Sequence, residues 1–260
     1  MRSFDITPVL LKTQRAREHL AQLNPLQKAI GSPGYLGTDV QRDGRDVVVR
    51  LRVNGPTPLQ IGCIVGDVVH NLRTALDYLA CLAVEWNGSA PTKQTQFPVC
   101  ETEARFTRVT KAQLAGAPER FVRFVESVQP YNFQAVSESV IGIVHRLDIN
   151  DKHNRLLVSA LMSSEISLEF DEPGCLEREP ILTIPSFPLV DGAELARFRL
   201  ALGREVVRPP FKMSLGADLA LIDQSPIHGQ PLTITLYQLI EKMQDDIVFP
   251  IERLFNEDAP

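Results

Sequence analysis

Two stretches of the chain concentrate side chains able to carry protons or hold charge: residues 61–86 (IGCIVGDVVHNLRTALDYLACLAVEW) and residues 136–153 (VSESVIGIVHRLDINDKH). In the second, six residues separate Arg146 from His153. On a continuous helix at about 100° per residue they fall within roughly 20° of one face, with Asn150 between them. An arginine and a histidine facing one pocket suit cleavage of RNA without a metal. The imidazole takes a proton from the 2′-hydroxyl or gives one to the leaving oxygen, and the guanidinium stabilises charge on the phosphate. Arg146, His153 and Asn150 are therefore the candidate catalytic residues.

In the first stretch His70, Arg73 and Asp77 follow i, i+3, i+7 spacing, with Gly66 one turn earlier, so they share a face nearly opposite the apolar stripe. Two readings fit. One is a wet surface carrying an Arg73–Asp77 pair at i, i+4, worth a few tenths of a kcal/mol. The other is a polar groove between two helical layers, in which His70, Arg73 and Asp77 bind a substrate. A metal site is a third use of the same stretches. Asp67 with His70, and His145 with Asp148, each put a carboxylate and an imidazole one turn apart, a spacing used by facing helices in di-metal proteins. There is no HExxH, no Walker A sequence, no GxGxxG after a strand and no GxSxG, so no cofactor is expected.

These residues need long helices to hold them. From Ile61 to Trp86, Ile61, Val65, Val68, Leu72, Leu76, Leu79, Ala83 and Trp86 fall in an apolar stripe about 80° wide. In the second stretch Val136, Val140, Ile143 and Leu147 form the stripe. Pro8 to Leu23 predicts a first helix with Thr7 as N-cap, and Pro118 to Val128 a short one. Thr233 to Phe255 predicts a last helix kinked near Pro250. Asp46 to Val53 (DVVVRLRV) alternates as a half-buried strand. After Leu156 come short β-leaning runs, LLVSALM, EISLEF, ILTIPSF, ARFRLAL and KMSLGADLALI, which predict an antiparallel meander, although ARFRLAL also suits a helix. The expectation is an α+β fold: a helical bundle packed with an antiparallel β-sheet in one interleaved domain over residues 1–260. Its helical core covers about 8–30, 61–87, 118–153 and 233–255, and its β-rich part about 46–54 and 156–223.

With 44% apolar residues, 23% charged residues and a net charge of −5, the chain has the composition of an ordinary globular protein and not of a broadly basic nucleic-acid binder. A local phosphate site is compatible with that charge. The first residues lack a signal-peptide pattern, and no run approaches the roughly 18 apolar residues of a membrane span. Cys63, Cys81, Cys100 and Cys175 include no CxxC pair. A cytoplasmic protein without membrane contact is expected.

The spacing of Arg146 and His153 resembles the Arg-x4-6-His motif of the HEPN superfamily of helical-bundle proteins. Many of these are metal-independent ribonucleases of defence and toxin–antitoxin systems. Leu147 departs from the polar residue that usually follows the arginine in active members. The resemblance implies RNA as substrate and a homodimer that brings two active sites together; in a ribonuclease, His70 and Arg73 are expected to assist Arg146 and His153. Separately, HNLRTALDYLA (70–80) and NDKHNRLL (150–157) resemble a group of bacterial proteins with HNLRxALDxLA and DKHR-type segments, a likeness spanning about half the chain and implying no particular activity. A non-catalytic binding protein and a metal-dependent hydrolase are the alternatives to a ribonuclease.

Overall fold

The computed structural model describes residues 4–32, 34–153, 159–170, 173–201, 211–221 and 227–256. Its architecture is α+β, as expected. Helix α3 (Gln60–Trp86) is the central element, with Ile61, Val65, Val68, Leu72, Leu76, Leu79 and Ala83 all fully buried. Each of the Ile, Val and Leu side chains contributes roughly 1.5–3 kcal/mol on leaving water, and no proline interrupts the stripe. Helix α1 (Thr7–Ala21), α2 (Leu23–Ile30), α6 (Val140–His153) and α7 (Leu232–Met243) all pack against α3. Thr7 proves to be the first helical residue and not the N-cap; its N–H donates to Asp5 Oδ1 at 2.9 Å. Val140, Ile143 and Leu147 are buried, as their spacing predicts.

Two smaller helices complete the bundle: α4 (Glu103–Gln113) and α5 (Glu119–Ser127). The C-terminal helix, expected to kink near Pro250, runs on with a five-residue π turn, Gln244–Val248, between α7 and α8 (Phe249–Asn256). Pro250 has no N–H to donate to the preceding turn, and the wider π turn accommodates that loss. Gln244, buried within it, donates to Thr13 Oγ1 of α1 at 2.8 Å.

The β-rich part is antiparallel throughout, but it is not one meander. Strands β1 (Leu36–Asp43), β2 (Asp46–Val53), β4 (Ile181–Leu182) and β5 (Glu194–Arg199) form one sheet in the order β1-β2-β5-β4. Among the described residues the long strands β3 (Ser159–Phe170) and β6 (Phe211–Leu221) form a separate two-stranded sheet. ARFRLAL is thus a strand from Ala196 to Arg199, and LLVSALM and EISLEF merge, from Ser159 on, into a single strand with a bulge between Ser163 and Glu165. Val47, Val49 and Leu51 of β2 point inward, matching their alternation. A second small core joins the two sheets, with Phe198 edge-on to Phe170 at 5.0 Å between ring centroids. No helix among the described residues is long and apolar enough to cross a membrane.

Candidate functional site

The polar face of α3 is not left to water, because α6 lies along it. The two helices run in opposite directions. Asp151 reaches so close to Gly66 that a Cβ there would stand 2.7 Å from its carboxylate oxygens. One turn on, His70 Nδ1 is 3.6 Å from Asp148 Oδ1, and buried Asp148 also accepts from Lys152 Nζ at 2.8 Å. Glycine at 66 is what lets the helices approach this closely. The wet-face reading is corrected for Arg73, which is only 7% exposed.

Arg73 and Asp77 form the expected pair at 2.7 Å, and both hold a third partner. Arg73 Nη2 also donates to the Phe97 carbonyl at 2.7 Å, while Phe97 N–H donates to Asp77 Oδ1 at 2.9 Å. The pair clamps both main-chain groups of one residue. Burial raises the Asp77 carboxyl above its ordinary range, with the charge of Arg73 pulling the other way. Beyond Phe97, buried Gln129 continues the restraint: it accepts from Cys100 N–H at 2.8 Å and donates to the Pro98 and Val125 carbonyls, each at 2.9 Å. The extended segment 97–101 is therefore fixed from both sides, and it forms one wall of a cavity.

That cavity, of about 370 Å³, lies between the 97–101 segment, α4 and α6. Its polar lining is Glu101, Arg105, His145, Arg146 and Asn150; Val99, Pro130 and Ile149 supply apolar wall. Gly142 completes it, and a Cβ there would meet Pro130 Cγ at 3.2 Å. Helical spacing explains the α6 contribution, since residues 142, 145, 146, 149 and 150 lie on one face. Arg146 Nη2 donates to Glu101 Oε1 at 2.7 Å, in a pair open to solvent on both sides. His145 has its pKa pushed down to about 4, first by burial and then by the charge of Arg73. It is an uncharged imidazole at neutral pH.

Arg146 and Asn150 thus share one cavity. His153 closes α6, two turns further on, and its side chain lies outside the described residues. Arg73, Asp77 and His70 do not line the cavity; the first two build its wall and the last is exposed beside Asp148. The proposed metal set is divided. Asp67 faces His19 of α1 at 3.7 Å, His70 faces Asp148, and His145 belongs to the cavity. Among the described residues no group of three or more His, Cys, Asp or Glu could hold a metal ion. Sequence reading missed Glu101 and Arg105 because it missed α4. The available signal was Thr102, whose hydroxyl caps the helix by accepting from Arg105 N–H at 3.3 Å, followed by acidic Glu103 in the first turn. The chain matches no family model, no curated protein and no solved structure.

Proposed function

We propose that the protein binds a phosphate-bearing ligand in the cavity between α4 and α6, with RNA as the ligand to which the HEPN resemblance points. The observation that carries this reading is the meeting of Arg105 and Arg146, from two helices, around one 370 Å³ space together with Asn150 and an uncharged histidine. Guanidinium groups match phosphate oxygens with a planar fork of donors. The volume falls in the range of small-molecule and nucleotide-sized sites. Glu101 holds Arg146 only through an exposed pair, worth under about 1 kcal/mol, which an incoming anion displaces at little cost.

A metal-independent, HEPN-like ribonuclease of defence or toxin–antitoxin type is the second reading. In its favour, Arg146 and Asn150 line the same cavity. Binding ranks first because it needs only groups that line the cavity, Arg105, Arg146 and Asn150, and no proton-transfer group. Proton transfer would fall to His153.

The test is to incubate the purified protein with labelled single-stranded RNA in EDTA and follow both retention and cleavage, beside a His153→Ala variant. Retained and intact RNA with both proteins is the result expected. Release of 2′,3′-cyclic phosphate ends by the wild type alone would replace binding with catalysis. Absence of both retention and cleavage would sink the two readings together.

A further inference from the structure

We propose, resting on the anion-binding reading of the cavity, that Arg73 is a positioning residue that fixes His145 as an uncharged Nε2–H donor to the bound oxyanion. The geometry starts from the register of α3 against α6. Gly66 meets Asp151 and His70 meets Asp148, so the next step along both helices sets Arg73 opposite His145. Arg73 spends its Nη2 on Asp77 and Phe97, whereas its Nη1 is sealed from solvent with no hydrogen-bond partner among the described residues. The Nδ1 of His145 is sealed and unpartnered in the same way. Two orphaned buried groups on facing turns is an arrangement that native interiors rarely leave uncompensated.

The chemistry allows one complementary state. A guanidinium can only donate, so a ring nitrogen that meets it must keep its lone pair and act as acceptor. The imidazole proton then resides on Nε2. Because Nδ1 is sealed, the rest of the ring is what lines the cavity. A protonated His145 would oppose N–H to N–H and place a second cation beside Arg73. Around the ring stand Arg73 of α3, Arg105 of α4, Glu101 before α4 and Asp148 of α6; burial and the two arginines disfavour the charged ring, and the two carboxylates favour it. Asp77 orients Arg73 as Arg73 orients His145, so the series Asp77–Arg73–His145 leads to the cavity. Such outer partners choose which histidine nitrogen carries the proton. The consequence is a donor whose strength does not change with pH over the neutral range.

Sulfate is the probe, because it stays fully ionised from about pH 5 to pH 8. In the wild type its affinity is expected to be level across that range, and His145→Phe to weaken it about tenfold, the loss of one hydrogen bond to a charged group. In Arg73→Gln the ring loses the cation beside it and its titration moves up from about 4 towards the ordinary range, burial still holding it below, so sulfate binds more tightly as pH falls to 5. Arg73→Lys, which keeps the charge, restores the level profile. Nitrogen–proton correlation NMR of wild-type His145 should show the Nε2–H tautomer, and this reading stands even where Arg73→Gln fails to fold. Sulfate bound with the Nδ1–H tautomer, or a level profile in folded Arg73→Gln, overturns the role of Arg73 alone. No sulfate binding by the wild type overturns the cavity reading on which it rests.

Discussion

Arg73–Asp77 and Arg146–Glu101 are both closed at 2.7 Å, yet the side chains are 9% and 33% exposed in the first pair and 42% and 69% in the second. The first pair lies between two helices and holds both main-chain groups of Phe97. The second stands at the mouth of a cavity, where water competes for each partner. Equal distances therefore do opposite work. A buried arginine is committed to structure, because removing its partners would strand a charge, whereas an exposed one remains available to a ligand.

The sharpest way to break this comparison is to truncate each arginine. Arg73→Ala leaves a half-buried Asp77 and the buried Phe97 carbonyl without their donor, and should cost about 2–4 kcal/mol in urea unfolding. Arg146→Ala should cost under about 0.5 kcal/mol. Similar losses for the two would refute the distinction.

The next effect in size comes from pH. His145 titrates at about 4 in the folded protein against an ordinary 6.5, so below pH 6.5 the unfolded chain binds a proton that the folded one refuses. Stability should fall as pH drops from 6.5 towards 4 and level off below, by at most roughly 2 kcal/mol between pH 7 and 5 once partial solvent screening is allowed for. Asp77 and Asp151 act with the opposite sign. Their carboxyls are raised, chiefly by burial, so they favour the folded state as pH falls through their own folded values. Comparing wild type with His145→Gln at the two pH values isolates the histidine; equal pH dependence in both proteins would contradict its assignment as a buried neutral group.

A smaller effect is expected at the helix crossing. Gly66→Ala puts a Cβ 2.7 Å from the Asp151 carboxylate, which must swing aside. The carboxylate is the far end of a short side chain, so the loss should be about 1 kcal/mol, within the usual range for overpacking. A stabilised variant would mean that α6 sits further from α3 than described.

The contrast also separates what was legible in the sequence from what was not. The stripe on α3 and the alternation of Val47, Val49 and Leu51 were readable because burial repeats with the period of the element. The Arg73–Asp77 pair was readable from its i, i+4 spacing. Its burial was not, since what meets it is the main chain of Phe97, on a non-periodic segment that carries no signal of where it packs. Periodicity reports which face is apolar; it does not report whether a polar face meets water or another polar face. Arg146 and Asn150 were found from their shared helix face, and the cavity they line needed the 97–101 segment and α4 as well. Helix α4 escaped because Phe106 is its only fully buried side chain. Strand β1 escaped because LGTDVQRD buries only Leu36, and the turn at Gly44, with φ +60°, was the signal that could have revealed its pairing with β2.

The most direct test of the central claim is a titration of labelled single-stranded RNA at fixed salt against the wild type, Arg146→Gln and Arg123→Gln. Arg123 is an exposed arginine on α5, paired with Glu119 and outside the cavity, so the two variants lose the same charge from different places. If the cavity holds the phosphate, Arg146→Gln weakens binding about tenfold or more while Arg123→Gln leaves it within about twofold. Equal weakening by both variants would mean that RNA senses only overall charge, and the cavity would lose its claim to be the site.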